Sequence, residues 1–97
     1  MKEIKTEKPK SIEEELKVLK TRAQENKAVI GFEEVCKGLK NHSLEKVYLA
    51  KNCELRMKED VHYYARLAQI PVMELELTNE ELGILCKKGF LIAVMGI

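Results

Sequence analysis

The segment Lys58-Glu59-Asp60-Val61-His62-Tyr63-Tyr64-Ala65-Arg66-Leu67-Ala68-Gln69-Ile70-Pro71-Val72-Met73-Glu74-Leu75-Glu76-Leu77 carries two periodicities in succession. Val61, Tyr64, Ala65 and Ala68 recur at helical spacing, which predicts a helix over 58–69 with one apolar face. Ile70-Pro71 ends it, because the residue before a proline is pushed out of helical geometry. From Val72 to Leu77 the period drops to two. Met73, Leu75 and Leu77 face one way and Glu74 and Glu76 the other, the pattern of a half-exposed strand. A helix that feeds a strand through a short turn is one unit of an alternating α/β chain.

Working outward, Thr78-x-x-Glu81 is a capping box that opens a short helix burying Leu82, Leu85 and Cys86. Lys87-Lys88-Gly89 turns the chain, and the wholly apolar run 91–95 predicts a last, central strand. Upstream, Val47-Tyr48-Leu49-Ala50 is a strand bounded by Lys51-Asn52. Phe32, Val35, Cys36 and Leu39 share one face of a helix that follows the short strand 28–30. Ser11-x-x-Glu14 is a second capping box, with Ile12, Leu16, Leu19 and Ala23 on the face behind it. Residues 1–10, ending in Lys8-Pro9-Lys10, read as a flexible tail. The order is α-β-α-β-α-β-α-β. It predicts one domain over 11–97, a three-layer α/β/α sandwich on four strands.

Composition narrows the function. With 45% hydrophobic and 34% charged residues among 97, the chain can bury a single core. No apolar run approaches the ~20 residues of a membrane span, and the first residues lack the apolar stretch of a signal peptide, so a cytosolic protein is expected. Cys36, Cys53 and Cys86 form no C-x-x-C pair, which argues for buried thiols over a disulfide framework or a zinc site. Formal net charge is only +1, and a nucleic-acid ligand would need a local basic patch.

Catalytic signatures are absent: no G-x-S-x-G, P-loop, G-x-G-x-x-G or H-E-x-x-H occurs. His42 and His62 read as surface residues without ligand partners, and no metal or cofactor is expected. The acidic runs Glu13-Glu14-Glu15 and Glu80-Glu81 open helices, where negative charge suits the dipole. Two stretches invite a ligand. In Gly31-Phe32-Glu33-Glu34-Val35-Cys36-Lys37 an apolar strand stops at a glycine and a helix begins at once, aiming free N–H groups at one spot. In Lys87-Lys88-Gly89-Phe90 two lysines precede an aromatic that either packs under a strand or stacks on a base. Stacking is worth roughly 1–3 kcal/mol per base, similar to burying a phenylalanine, so energy does not choose between them.

Three segments together resemble the L-seven-Ae/L-thirty-e superfamily of small ribosomal and kink-turn-binding proteins, and its archaeal L-thirty-e branch in particular. They are Val47-Tyr48-Leu49-Ala50-Lys51-Asn52-Cys53, the long stretch from Lys58 to Val72, and Thr78-Asn79-Glu80-Glu81-Leu82-Gly83. The resemblance spans about residue 16 to the end. It implies a mixed sheet and a kink-turn RNA ligand, in which tandem sheared G·A pairs abut a sharp backbone bend. It also implies an RNA face built from the start of the second helix, the turn after the second strand and the loop before the last strand. Gly31 matches the motif glycine, Glu34 and Lys37 the motif glutamate and lysine, Asn52 the polar turn residue, and Phe90 a loop aromatic that packs against RNA. Lys51, Lys87 and Lys88 add charge to the same expected edge. Three positions depart from the pattern. Glu33 stands where a non-acidic residue is usual, Lys87 replaces a usual glycine, and Leu91 replaces a frequent polar or basic residue.

Two readings follow. One is a non-catalytic RNA-binding protein of ribosomal type, a large-subunit component or close paralogue. The alternative is a protein-interaction module that kept the fold and weakened its RNA binding, to which Glu33 and the near-neutral charge belong.

Overall fold

Alternation along one strand sets the layers. In β2 (Val47–Leu49) every residue is buried, with Val47 and Leu49 in one core and Tyr48 in the other. The computed structural model describes residues 12–97; the expected tail and the Ser11 cap lie outside the described residues. Within them the order is α1 (Ile12–Gln24), β1 (Val29–Ile30), α2 (Phe32–Lys40), β2, α3 (Leu55–Ala68), β3 (Val72–Glu74), α4 (Asn79–Leu85) and β4 (Val94–Gly96). Val35 and Leu39 of α2 and Val61 and Ala65 of α3 pack with Val47, Leu49 and Val94. Leu19 and Ala23 of α1 and Leu82 of α4 pack with Tyr48 and Met95 on the opposite face. The expected α/β/α sandwich is the architecture observed.

The sheet order is β1-β4-β2-β3. β4 is antiparallel to both neighbours, with Gly96 opposite Val29 and Val47, and Met95 opposite Ile30 and Tyr48. β2 and β3 are parallel. The sheet is therefore mixed, and β4 is central, as its apolar run requires.

Element ends differ from expectation for local reasons. α3 begins at Leu55 rather than Lys58, and its N-cap Glu54 makes no side-chain cap bond, so no capping signal marks the start. β3 ends at Glu74, opposite the end of β2 at Leu49; the alternation runs on to buried Leu75 and half-buried Leu77, still tied to the β2 side by Leu75 N to Leu49 O at 2.8 Å. β4 is displaced toward the C-terminus, to Val94–Gly96 instead of 91–95. Leu91 is 63% exposed, and Ile92 donates its N–H to Asn79 O of α4 at 3.0 Å instead of joining a strand.

Glu15, read from the sequence as one of three helix-opening acids, does more than suit the dipole: it is 8% exposed and faces the sheet. Its Oε1 accepts from the Tyr48 hydroxyl at 2.9 Å and pairs with Lys46 Nζ at 2.9 Å. A buried carboxylate persists only with such partners, and this one pins α1 to β2 across 33 positions of sequence.

All three cysteines are free and buried, as expected. Burial pushes each thiol above its ordinary value, and burial with the Glu15 hydrogen bond pushes up the Tyr48 phenol. In the unfolded chain these groups ionise near ~8.5 for thiols and ~10 for phenol. Above those values the native state holds more protons than the unfolded one, so stability falls as pH rises. Urea melts should give a midpoint that is flat up to about pH 8 and declines steadily through pH 9–11. A midpoint that rises across that alkaline window would contradict the burial of these four groups.

Candidate functional site

Strand direction decides which loops meet. β1 and β2 both run opposite to β4. The ends of β1 and β2 therefore lie beside the beginning of β4. There Gly31 donates its N–H to Val94 O at 2.9 Å, and Ala50 donates to Ala93 O at 2.9 Å. The start of α2, the turn at 50–52 and the approach to β4 are thus held side by side by backbone hydrogen bonds.

Gly31 makes the first of these junctions. Its φ of 107° and ψ of 149° belong to a region that only glycine enters without strain. A Cβ there would meet nothing within 4 Å, so the requirement is conformational, not steric. Gly31 caps α2 without a side-chain hydrogen bond, which leaves the helix N-terminus open as an anion site. Glu33, Glu34 and Lys37 are all exposed in the first turns. Lys37 Nζ lies 3.8 Å from Glu34 Oε2, a solvent-exposed pair worth little and easily exchanged for another partner. Glu33 has no ion pair among the described residues.

The turn after β2 carries Lys51 and Asn52, both exposed. Lys51 donates its N–H to Leu77 O at 2.7 Å, which lays the turn against the entry to α4. Asn52 is engaged more fully. Its Oδ1 accepts the backbone N–H of Asn79 at 2.8 Å, and its Nδ2 donates to Asn79 Oδ1 at 3.1 Å. The expected capping box is present beside it: Thr78 Oγ1 accepts from Glu81 N at 3.1 Å, and Thr78 N donates to Glu81 Oε1 at 2.9 Å.

The loop 87–93 folds back along α4. A Cβ on Gly83 would stand 2.2 Å from Phe90 O, so only glycine lets the chain pass there. Phe90 is 57% exposed, which excludes the packing-under-a-strand alternative. It lines a surface groove of about 360 Å³ with Glu80, Ile84, Lys88, Gly89 and Leu91. Lys87 and Lys88 sit at the far end of α4 from Asn52, about 10 Å of helix away for its seven residues. Lys87 has φ 58°, a left-handed conformation, with its N–H on Ile84 O and that of Lys88 on Gly83 O. This is the helix stop that usually takes glycine, and it accounts physically for Lys87 standing at a glycine position.

The structure therefore gathers Gly31, Glu33, Glu34, Lys37, Lys51 and Asn52 around one end of the sheet, with Phe90, Lys87 and Lys88 along α4 at its periphery. Sequence reasoning missed Asn79, which ties the turn to the loop through both its side chain and its backbone. Its position directly after the cap Thr78 was the available signal. Among the described residues no group of three His, Cys, Asp or Glu side chains is placed to hold a metal, and no helix is long and apolar enough to cross a membrane. His62 has a partner that spacing did not reveal, its Nε2 lying 3.0 Å from Glu74 Oε2.

Two glycine-related substitutions should move stability in opposite directions. Gly31→Ala should cost about 1–3 kcal/mol through backbone strain alone, whereas Lys87→Gly should stabilise by about 1 kcal/mol, or a few degrees in Tm. Thermal melts of both variants check this. Equal or same-signed shifts would contradict the assigned backbone conformations.

A model of the ribosomal protein L7Ae/L30e/S12e/Gadd45 family matches residues 13–97. The large ribosomal subunit protein eL30 of Methanocaldococcus jannaschii is 35% identical over 79 residues, covering 81% of this chain and 72% of that protein. The protein of the same name from Sulfurisphaera tokodaii is 33% identical over 79 residues, covering 81% and 74%. Among solved structures, a Bacillus halodurans protein of unknown function superposes with a TM-score of 0.78 at 24% identity, over 84% of this chain and 81% of that one. A Giardia lamblia 15.5kD RNA binding protein does so with a TM-score of 0.74 at 20% identity, over 87% and 70%. At those identities the structural likeness speaks for the fold alone.

Proposed function

The chain belongs to the ribosomal protein L7Ae/L30e/S12e/Gadd45 family, and from that premise we propose that it is a non-catalytic RNA-binding protein of ribosomal type. In this reading residues 11–97 are the RNA-binding domain, and the ligand is a kink-turn or a similarly bent RNA. The protein works in the cytoplasm, in the ribosome or beside it as a paralogue. Ribosomal RNA and neighbouring ribosomal proteins are its partners, and no cofactor is involved.

The observation that carries the reading is the open N-terminus of α2 standing next to the exposed Lys51-Asn52 turn. Backbone N–H groups and the dipole of α2 favour a phosphate, and Lys37 and Lys51 supply mobile positive charge beside it. Glu34 accepts hydrogen bonds only, which suits the N–H edge of a guanine exposed by a sheared G·A pair. Phe90 offers a solvent-facing ring for stacking on a base. Glu33 works against this. It is exposed, it has no donor to give, and it repels phosphate across the same helix start.

A gel shift with a kink-turn, a scrambled bulge and a plain duplex, each at two salt concentrations, tests the proposal. Binding should favour the kink-turn and fall steeply with salt. Glu33→Asn should tighten it several-fold, by removing one repulsive charge from the anion site. Equal affinity for all three RNAs at physiological salt would overturn the reading. Co-purification with a protein partner that survives nuclease treatment, together with no effect of Glu33→Asn, would favour the protein-interaction alternative instead.

A further inference from the structure

Asn52 matches an RNA-contacting position, yet its side-chain amide is held at both ends by one residue of the protein. The Asn79 N–H can only donate, so the oxygen of Asn52 must face it, at 2.8 Å. The nitrogen then falls opposite Asn79 Oδ1, at 3.1 Å. A flipped amide would set N–H against N–H and oxygen against oxygen. Asn52 makes no other side-chain hydrogen bond among the described residues, so one Nδ2 proton and one Oδ1 lone pair remain, each in a direction the clamp fixes; Asn52 is exposed and Asn79 half-buried.

We infer that Asn79 is a positioning residue for RNA recognition, clamping the Asn52 amide in one orientation so that its free N–H is held toward an acceptor atom of the RNA. The inference rests on the RNA-binding reading above. An unclamped asparagine flips freely and accepts as readily as it donates. The clamped one cannot exchange its two ends: a base carbonyl, a purine ring nitrogen or a backbone oxygen is accepted where the free N–H lies, and an N–H only where the second lone pair of Oδ1 lies. Asn79 also receives the Ile92 N–H on its carbonyl oxygen, at 3.0 Å. One residue therefore sets the turn at 50–52 against the loop that leads to β4.

Two measurements test this. In the free protein, side-chain NMR should show Asn52 Nδ2 protons exchanging more slowly than those of Asn41, an exposed asparagine with no side-chain partner among the described residues. Asn79→Ala should abolish the difference, while the Thr78–Glu81 capping box keeps α4 folded. Against kink-turn RNA, Asn79→Ala should weaken binding about 5- to 10-fold, the scale of one hydrogen bond. In an Asn52→Ala background the same change should cost less than about twofold, because Asn79 acts through Asn52. The salt dependence should stay as it is in the wild type, since no charged group is lost. Equal exchange of the Asn52 and Asn41 amides, or penalties that simply add, would overturn the inference while leaving RNA binding intact. A wild-type protein that prefers no bent RNA would instead overturn the functional reading, and the RNA role of Asn79 with it.

Discussion

Three residues, Val94-Met95-Gly96, hold a strand on each side and run opposite to both. Had β4 been parallel to β1 and β2, the loop before it would have opened at the other end of the sheet. The antiparallel arrangement brings that loop between the start of α2 and the turn at 50–52. Two hydrogen bonds just beyond the ladder, Gly31 N to Val94 O and Ala50 N to Ala93 O, then fix the three segments as neighbours. The candidate site is a consequence of strand direction. Its side chains are exposed and, Asn52 apart, weakly paired, while the strand ends beneath them are hydrogen-bonded and the start of α2 is left open.

That division is the one expected of a binding surface on a rigid scaffold. Val94, Met95, Tyr48 and Leu49 are almost fully buried, so the strand ends cannot drift. The Glu15–Tyr48–Lys46 cluster adds a polar lock on the α1 side. Above this layer Lys37 and Glu34 are, among the described residues, held only to each other, at 3.8 Å between exposed groups. Such a pair yields to a phosphate or a guanine at small cost. Asn52 is the exception, a surface residue whose orientation is imposed.

Much of the fold was legible because periodicity is local. Val61 and Ala65 announced α3, and the Val72–Leu77 alternation announced the strand that follows. The apolar run 91–95 announced a central strand but not its phase, since a run without polar residues carries no register. The start of α3 was hidden because Glu54 sends no capping signal. The burial of Glu15 and the Asn52–Asn79 clamp were hidden for a different reason. Their partners lie 33 and 27 positions away, and no local pattern encodes such a pair. The residues of the site were named by resemblance rather than by chemistry. What the structure adds is their proximity, the left-handed turn beneath Lys87, and Asn79.

One end of the sheet is the RNA-reading surface we propose. The most direct measurement is an amide NMR titration of the protein with kink-turn RNA. Shift changes are expected to concentrate at 31–37, 51–52 and 88–93, and to leave α1 and the outer face of α3 unchanged. Changes confined to α1 or α3, or none at saturating RNA, would contradict it.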